Sequence, residues 1–174
     1  MDALIVVESM FGNTRKVADA VMAGLANKLP AGCEVAVVDV SQVPQQLEAG
    51  VGLLVVGAPT HAFGMSRPST RKSASEQGAE GGTTTGVREW LKTFQPAKGQ
   101  PVATFDTRIK KRGLPGWAAK SASHKLARKG GVTVATPNSF WVEGTDGPLL
   151  DGEIDRAQIW GNALAAFAKR PTAA

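Results

Sequence analysis

Short, uninterrupted runs of apolar residues recur along the chain and predict buried strands. The runs ALIVVE (residues 3–8), EVAVVD (34–39) and GLLVVGA (52–58) are rich in β-branched residues and almost free of polar positions. Two shorter runs, PVATF (101–105) and VTVAT (132–136), have the same character. Strands without a polar face are typical of a parallel sheet that is covered on both sides.

Helical periodicity occupies the stretches between these strands. Apolar residues recur at every fourth position from Val17 to Leu29, and this spacing predicts an amphipathic helix. Helices are predicted over about 13–29, 86–95, 117–129 and 154–167, with one short helix in 41–49 that is broken at Pro44. The alternation of strands and helices predicts a doubly wound α/β sandwich.

Two segments depart from this alternation. Residues 65–86, MSRPSTRKSASEQGAEGGTTTG, are polar and rich in Gly, Ser and Thr, and they predict a long polar loop. Such a loop is either a surface insertion or a functional segment, because loops of this length are uncommon in compact domains. Residues 136–149 are interpreted as an interrupted last strand followed by a loop.

The length of 174 residues suits a single domain, 1–174.

Composition narrows the class of protein. One cysteine excludes an internal disulfide, and two histidines without a cysteine cluster give no metal site. No run of about 18 apolar residues occurs, so we expect no membrane insertion. The first residues lack the pattern of a secretory signal, and we expect a cytoplasmic protein.

The residues that follow the first strand, ESMFGNTRKV, are the first candidates for a binding site. Ligands of open α/β sheets bind beyond the carboxyl ends of the strands. This segment has neither the G-x-G-x-x-G of dinucleotide folds nor a P-loop. The third strand ends in Gly57-Ala58-Pro59, without the phosphorylatable Asp of a response-regulator receiver. The segment is either an ordinary strand-to-helix turn or a site where neutral donors at a helix N-terminus bind a phosphate monoester.

The motif SMFGNT resembles the phosphate loop of flavodoxins and flavodoxin-like proteins, whose common form is [ST]-x-[ST]-G-N-T. Four positions match, and Phe11 stands where the pattern has a hydroxyl residue. The resemblance implies a five-stranded parallel sheet of order 2-1-3-4-5 and a bound flavin mononucleotide (FMN). It implies that the FMN phosphate contacts Ser9, Met10, Phe11, Gly12, Asn13 and Thr14.

The loop after the third strand, GAPTHAFGMSRP (57–68), resembles a flavin-contacting loop of the same family. The resemblance implies that Thr60 hydrogen-bonds the flavin ring and that His61 or Phe63 covers one ring face. A role for His61 as a catalytic base stays open. The implied ring contacts in this loop are Pro59, Thr60, His61, Ala62, Phe63 and Gly64.

The loop after the fourth strand matches the family less well. Asp106, Thr107 and Arg108 occupy the place of the second flavin loop, and the resemblance implies that they contact the ring. Many flavodoxins stack a tyrosine on the flavin, but this chain contains no tyrosine. Trp117 is either a substitute for that tyrosine or a packing residue at the start of a helix.

The charges depart from those of the familiar electron-shuttling flavodoxins, which are strongly acidic. The net charge is +5, and residues 106–130 contain eight basic side chains and one acid. This distribution favours an acidic redox partner protein, an anionic substrate or a reduced nicotinamide phosphate. No nucleic-acid-binding module is recognised in the chain, so we expect no nucleic-acid partner.

The resemblance therefore implies an FMN-binding electron-transfer protein that shuttles electrons between redox partners. One alternative is an FMN-dependent reductase that uses NAD(P)H to reduce quinones or other small acceptors. Another is a binding or regulatory module that keeps the fold without flavin. An electron carrier is favoured over a stand-alone oxidoreductase, and no catalytic residue is assigned.

Overall fold

The computed structural model describes residues 1–47, 50–61, 64–82, 84–110 and 116–168. In these residues a seven-stranded sheet lies between helices. The strands are β1 (Ala3–Val7), β2 (Val35–Asp39), β3 (Leu53–His61), β4 (Gly64–Met65), β5 (Pro101–Ile109), β6 (Val132–Thr133) and β7 (Asn138–Val142). The helices are α1 (Asn13–Lys28), α2 (Pro68–Glu76), α3 (Val87–Thr93), α4 (Ala118–Arg128) and α5 (Glu153–Leu164).

The parallel part of the sheet has the order β2-β1-β3-β5, followed by β6 and β7. β6 pairs with the first residues of β5 and β7 with its last residues, so these two short strands share the fifth position. The predicted order 2-1-3-4-5 is thereby confirmed, with an interrupted last strand. β4 adds a short antiparallel pairing at the end of β3, where Thr60 lies opposite Met65.

Two apolar cores form on opposite faces of the sheet. Ile5 and Val55 belong to the core that contains residues of α1 and α5. Leu4 and Val56 belong to the core that contains residues of α3 and α4. Because successive strand residues point to opposite faces, strands covered on both sides have no polar alternation. The predicted three-layer α/β sandwich is confirmed.

The prediction of a continuous polar loop over residues 65–86 is wrong for its first half, which forms helix α2. Pro68 is the first helical residue, a position where its missing N–H removes no intrahelical bond. The hydroxyl of Thr70 accepts a hydrogen bond from the backbone N–H of Arg67 at 2.9 Å. Arg71 and Ala74 are the buried residues of this helix. Its apolar face is therefore too small to give a helical pattern in the sequence.

The short helix predicted within 41–49 is a 3₁₀ turn at Val40–Gln42, which ends before Pro44. Residues 48 and 49 lie outside the described part of the chain. Within the described ranges, none of the helices has the length and apolar character needed to cross a membrane.

Candidate functional site

The loop between β1 and α1 presents a helix N-terminus at the carboxyl edge of the sheet. Gly12 has a φ of 83°, in the left-handed region that glycine adopts without strain, and α1 begins at Asn13. The hydroxyl of Ser9 accepts a hydrogen bond from the backbone N–H of Arg15 at 3.2 Å. The first-turn N–H groups of a helix have no acceptor within the helix and lie at the positive end of its dipole. This local geometry suits an anion.

Two side chains of this loop are hydrogen-bonded to distant segments. The side-chain amide of Asn13 donates to the carbonyl oxygen of Asp146 at 2.8 Å. The hydroxyls of Thr14 and Thr107 lie 2.8 Å apart, and both residues are buried. These bonds join the loop to the end of β5 and to the segment after β7. Backbone N–H groups are therefore the principal donors that the loop offers to an anion.

A cavity of about 370 Å³ lies beside this loop, beyond the carboxyl ends of β3 and β5. Its volume falls within the range of small-molecule sites, about 300–1,000 Å³. The structure brings together residues from all three loops singled out in the sequence. The predicted site residues that line this cavity are Met10, Phe11, Asn13, Thr14, Pro59, Thr60, His61, Thr107 and Arg108.

The remaining predicted site residues lie elsewhere. Ser9 and Gly12 line a neighbouring depression, whose wall also includes Met10 and Phe11. Gly64 pairs with His61 in the β3–β4 hairpin. Gly64 and Asp106 are not among the described residues that line either hollow. Residues 62 and 63, which include the predicted ring contact Phe63, lie outside the described part of the chain.

Asp106 is buried behind the cavity and fixes the start of helix α4. One of its carboxylate oxygens accepts hydrogen bonds from the hydroxyl of Thr60 at 2.9 Å and from the backbone N–H of Ala119 at 3.0 Å. The Thr60 hydroxyl in turn accepts from the backbone N–H of Ala118 at 3.0 Å. Asp106 and Thr60 thus bind the orphan N–H groups of the α4 N-terminus.

Burial and the surrounding hydrogen bonds change the pKa of the Asp106 carboxyl group. Burial raises the pKa of its carboxyl group, because the charged form is poorly solvated. Hydrogen bonds from Ala119 and Thr60 and the charge of Arg108 lower the pKa in part without cancelling the effect of burial. The site therefore favours the neutral form of this carboxyl group more than water does.

Trp117 lies directly before the first helical residue of α4. Its ring contacts Arg108, whose guanidinium carbon lies 5.2 Å from the ring centroid. Trp117 is 41% exposed and is absent from the described lining of the cavity. The choice between flavin stacking and packing at a helix start stays a prediction.

Helix α2 forms a wall of the cavity that the sequence did not predict. Five residues of this segment line the cavity: Ser69, Thr70, Ser73, Ala74 and Gln77. The available sequence signal was Pro68 at a helix start, followed by residues compatible with a helix. The polar composition of the segment hid that signal.

A buried polar cluster holds α2 in place. Arg71 is fully buried, forms an ion pair with Glu89 at 3.0 Å and donates to the Ser66 hydroxyl at 2.8 Å. Ser66 donates to Glu8, the first residue after β1. The other Glu8 oxygen accepts from the backbone N–H of Val87 at 2.7 Å. The cluster thus links the end of β1, helix α2 and the start of α3.

Burial shifts the pKa values of Glu8 and His61 in opposite directions. Burial raises the pKa of Glu8, although hydrogen bonds from Ser66 and Val87 and the charge of Arg71 lower it in part. Burial lowers the pKa of His61, and the charge of Arg71 lowers it further. The neutral form of His61 on the cavity wall is therefore favoured more than that of a histidine in water.

Comparison with known proteins identifies the fold. No family model and no curated protein sequence matches the chain. Among solved structures, a flavodoxin from Streptococcus pneumoniae TIGR4 superposes with a TM-score of 0.65 at 18% identity, covering 94% of this chain and 97% of that one. A flavodoxin from the domain Archaea gives 0.62 at 19% identity, covering 97% and 99% of the two chains.

A third solved structure is a longer protein that matches this chain over part of its length. The flavodiiron protein from Giardia intestinalis gives a TM-score of 0.61 at 17% identity, and the match covers 97% of this chain but 36% of that one. These identities are low, and the agreement lies in the arrangement of strands and helices. The chain has the flavodoxin-like fold.

Proposed function

We propose that this chain binds FMN and carries electrons between redox partners. The observation that supports this most strongly is the position of the cavity. It lies directly beside the N-terminus of α1, at the carboxyl ends of β3 and β5, where open α/β sheets bind ligands. Such a site offers anion-binding amides at one end and room for a ring system at the other.

The residues present fit FMN in chemical type. The backbone N–H groups of the Ser9–Thr14 loop, with Gly12 in its left-handed conformation, would hold the phosphate. Thr107, Arg108 and His61 would lie along the flavin ring, because all three line the adjacent cavity. The bound flavin supplies the redox chemistry, and the protein orients it and limits its contact with water.

The partner of such a carrier is proposed to be acidic at its docking surface. Helix α4 follows Trp117, whose ring contacts the cavity residue Arg108. The exposed face of α4 carries Lys120, His124 and Arg128. Attraction between this basic face and an acidic partner would accelerate their encounter and weaken as salt is added.

A second candidate function is an FMN-dependent reductase that uses NAD(P)H and a small acceptor such as a quinone. Helix α2 favours it, because this helix encloses one side of the cavity with hydroxyl and amide side chains. Such a wall suits a small substrate better than a protein surface. Oxidation of NADPH by the FMN-loaded chain with a quinone, and without any other protein, would support the reductase over the carrier.

A comparison of FMN with riboflavin tests the proposed mode of binding. The two ligands share the ring and differ in the phosphate, so we expect the chain to bind FMN at least tenfold more tightly. The double variant Ser9→Ala with Thr14→Ala removes the hydroxyls that bind the Arg15 N–H and the Thr107 hydroxyl, so it should displace the phosphate-binding amides and weaken FMN binding more than riboflavin binding. Equal losses for the two ligands would contradict the assignment of this loop to the phosphate.

A further inference from the structure

Arg108 is held inside the cavity wall between two indole rings. The residue is 6% exposed, and its guanidinium carbon lies 5.2 Å from the centroid of the Trp117 ring and 6.0 Å from that of Trp141. Trp141 occupies the position of β7 directly opposite Arg108 of β5. A guanidinium flanked by aromatic rings is stabilised by cation–π attraction and is restrained from moving into solvent.

The guanidinium of Arg108 places a positive charge in the wall of the cavity. The described residues that line it include one arginine, Arg108, and no lysine, aspartate or glutamate. Asp106 interacts electrostatically with Arg108, but it is absent from the described lining of the cavity and accepts hydrogen bonds from Thr60 and from helix α4. The wall therefore presents a fixed positive charge to whatever occupies the cavity.

We propose that Arg108 makes the cavity bind the reduced, anionic state of the flavin ring more tightly than the oxidised state, and so raises the reduction potential of bound FMN. This inference rests on the proposed function. The oxidised ring is neutral, and addition of two electrons and one proton gives a ring with one negative charge. A fixed cation in a partly dehydrated site attracts the anionic ring and leaves the neutral ring almost unaffected.

The test measures the reduction potential of FMN bound to the wild type and to variants, by anaerobic equilibration with a redox dye. Arg108→Gln should lower the ratio of affinities for reduced and oxidised FMN by at least about tenfold, which corresponds to about 30 mV for a two-electron couple. Arg108→Lys keeps the charge and should stay closer to the wild type than to Arg108→Gln. The control Lys110→Gln removes the same charge from an exposed neighbour outside the cavity lining and should change the ratio less than twofold.

Trp117→Leu gives a second test that does not require removal of a buried charge. Trp117 is 41% exposed, so its replacement should be tolerated, and it frees one face of the guanidinium. We expect a change of the same sign and about threefold in size, and no change would count against the proposal.

The possible outcomes separate this inference from the function on which it rests. A wild-type chain that does not bind oxidised FMN contradicts both. A chain that binds oxidised FMN, but has the same affinity ratio in Arg108→Gln as in the wild type, contradicts the role of Arg108 alone. Equal shifts in Arg108→Gln and Lys110→Gln also overturn it, because net charge would then explain the effect.

Discussion

The hydroxyl oxygens of Thr14 and Thr107 lie 2.8 Å apart, between the first turn of α1 and the end of β5. This bond joins a helix and a strand at positions that are about 90 residues apart in sequence and that both contribute to the cavity wall. Because both residues are buried, neither hydroxyl can exchange its partner for bulk water. The bond therefore ties the proposed phosphate loop to the proposed ring site.

Thr14→Val and Thr107→Val test this connection. Each change keeps the side-chain shape and leaves the other hydroxyl buried without its partner, so each should destabilise the fold by about 1–3 kcal/mol. The double variant should lose less than the sum of the two, with a coupling energy of about 1 kcal/mol in chemical unfolding. Thr133→Val is the control, because it breaks a hydroxyl pair with Ser123 that lies outside the cavity lining. It should leave FMN affinity unchanged.

A matched pair of glycines tests the packing of the loop. A methyl group on Gly81 would lie 2.2 Å from the carbonyl oxygen of Ser9, whereas a methyl group on Gly82 would have no atom within 4 Å. Gly81→Ala should therefore displace the loop, destabilise the fold by about 1–3 kcal/mol and weaken FMN binding. Gly82→Ala should change the free energy of unfolding by about 0.5 kcal/mol or less. Thermal unfolding and FMN titration compare the stability and the FMN affinity of the two variants. Equal stability and equal affinity in the two variants would contradict close packing of Gly81 against Ser9.

Arg71 should be far more important for stability than an exposed arginine. Arg71→Met leaves Glu8 and Glu89 without their buried cation, and loss of one partner of such a group costs about 3–5 kcal/mol. Arg15→Met breaks an exposed ion pair with Asp19 and should cost about 1 kcal/mol or less. Urea unfolding measures the loss of stability in both variants. The buried cluster would have no special role if the two variants lost equal stability.

The raised pKa of Asp106 gives an expected dependence of stability on pH. A carboxyl group with a higher pKa in the folded than in the unfolded chain stabilises the fold when protonated and loses that contribution as pH rises through the folded pKa. Asp106→Asn keeps an oxygen that can accept from Thr60 and Ala119, and it cannot ionise. We expect the variant to be more stable than the wild type at pH 7.

The advantage of Asp106→Asn should shrink as pH falls toward the ordinary pKa of an aspartate. Each tenfold difference in acidity between the folded and unfolded chains corresponds to about 1.4 kcal/mol. Unfolding of both proteins between pH 4 and pH 7 measures this difference. A variant that is less stable than the wild type at pH 7, and equally stable at low pH, would show that Arg108 outweighs burial at this site.

Strong local patterns explain which parts of the structure were predictable. The run of apolar residues in β1 and the fourfold spacing from Val17 to Leu25 are local signals, and both elements form as expected. Helix α2 escaped prediction because its buried side includes Arg71, whose charge is satisfied by residues distant in sequence. A search for apolar periodicity cannot detect such a face.

The site was predictable in position and less so in detail. The loops after three strands were expected to meet at one edge of the sheet, and the structure places most of their singled-out residues around one cavity. Asp106 was expected to contact a ring; it binds Thr60 and the N-terminus of α4 and is absent from the described lining of the cavity. Those partners are set by tertiary packing across β3, β5 and α4, and a single sequence does not encode their distances.

Retention of FMN by the purified chain shows directly whether the cavity is a flavin site. The purified chain would be incubated with FMN, desalted and examined by visible absorption spectroscopy. The proposed function requires bands near about 370 and 450 nm, those of an oxidised flavin, to stay with the protein. A chain that emerges colourless would contradict FMN binding and would leave a flavin-free binding or regulatory module on the same fold.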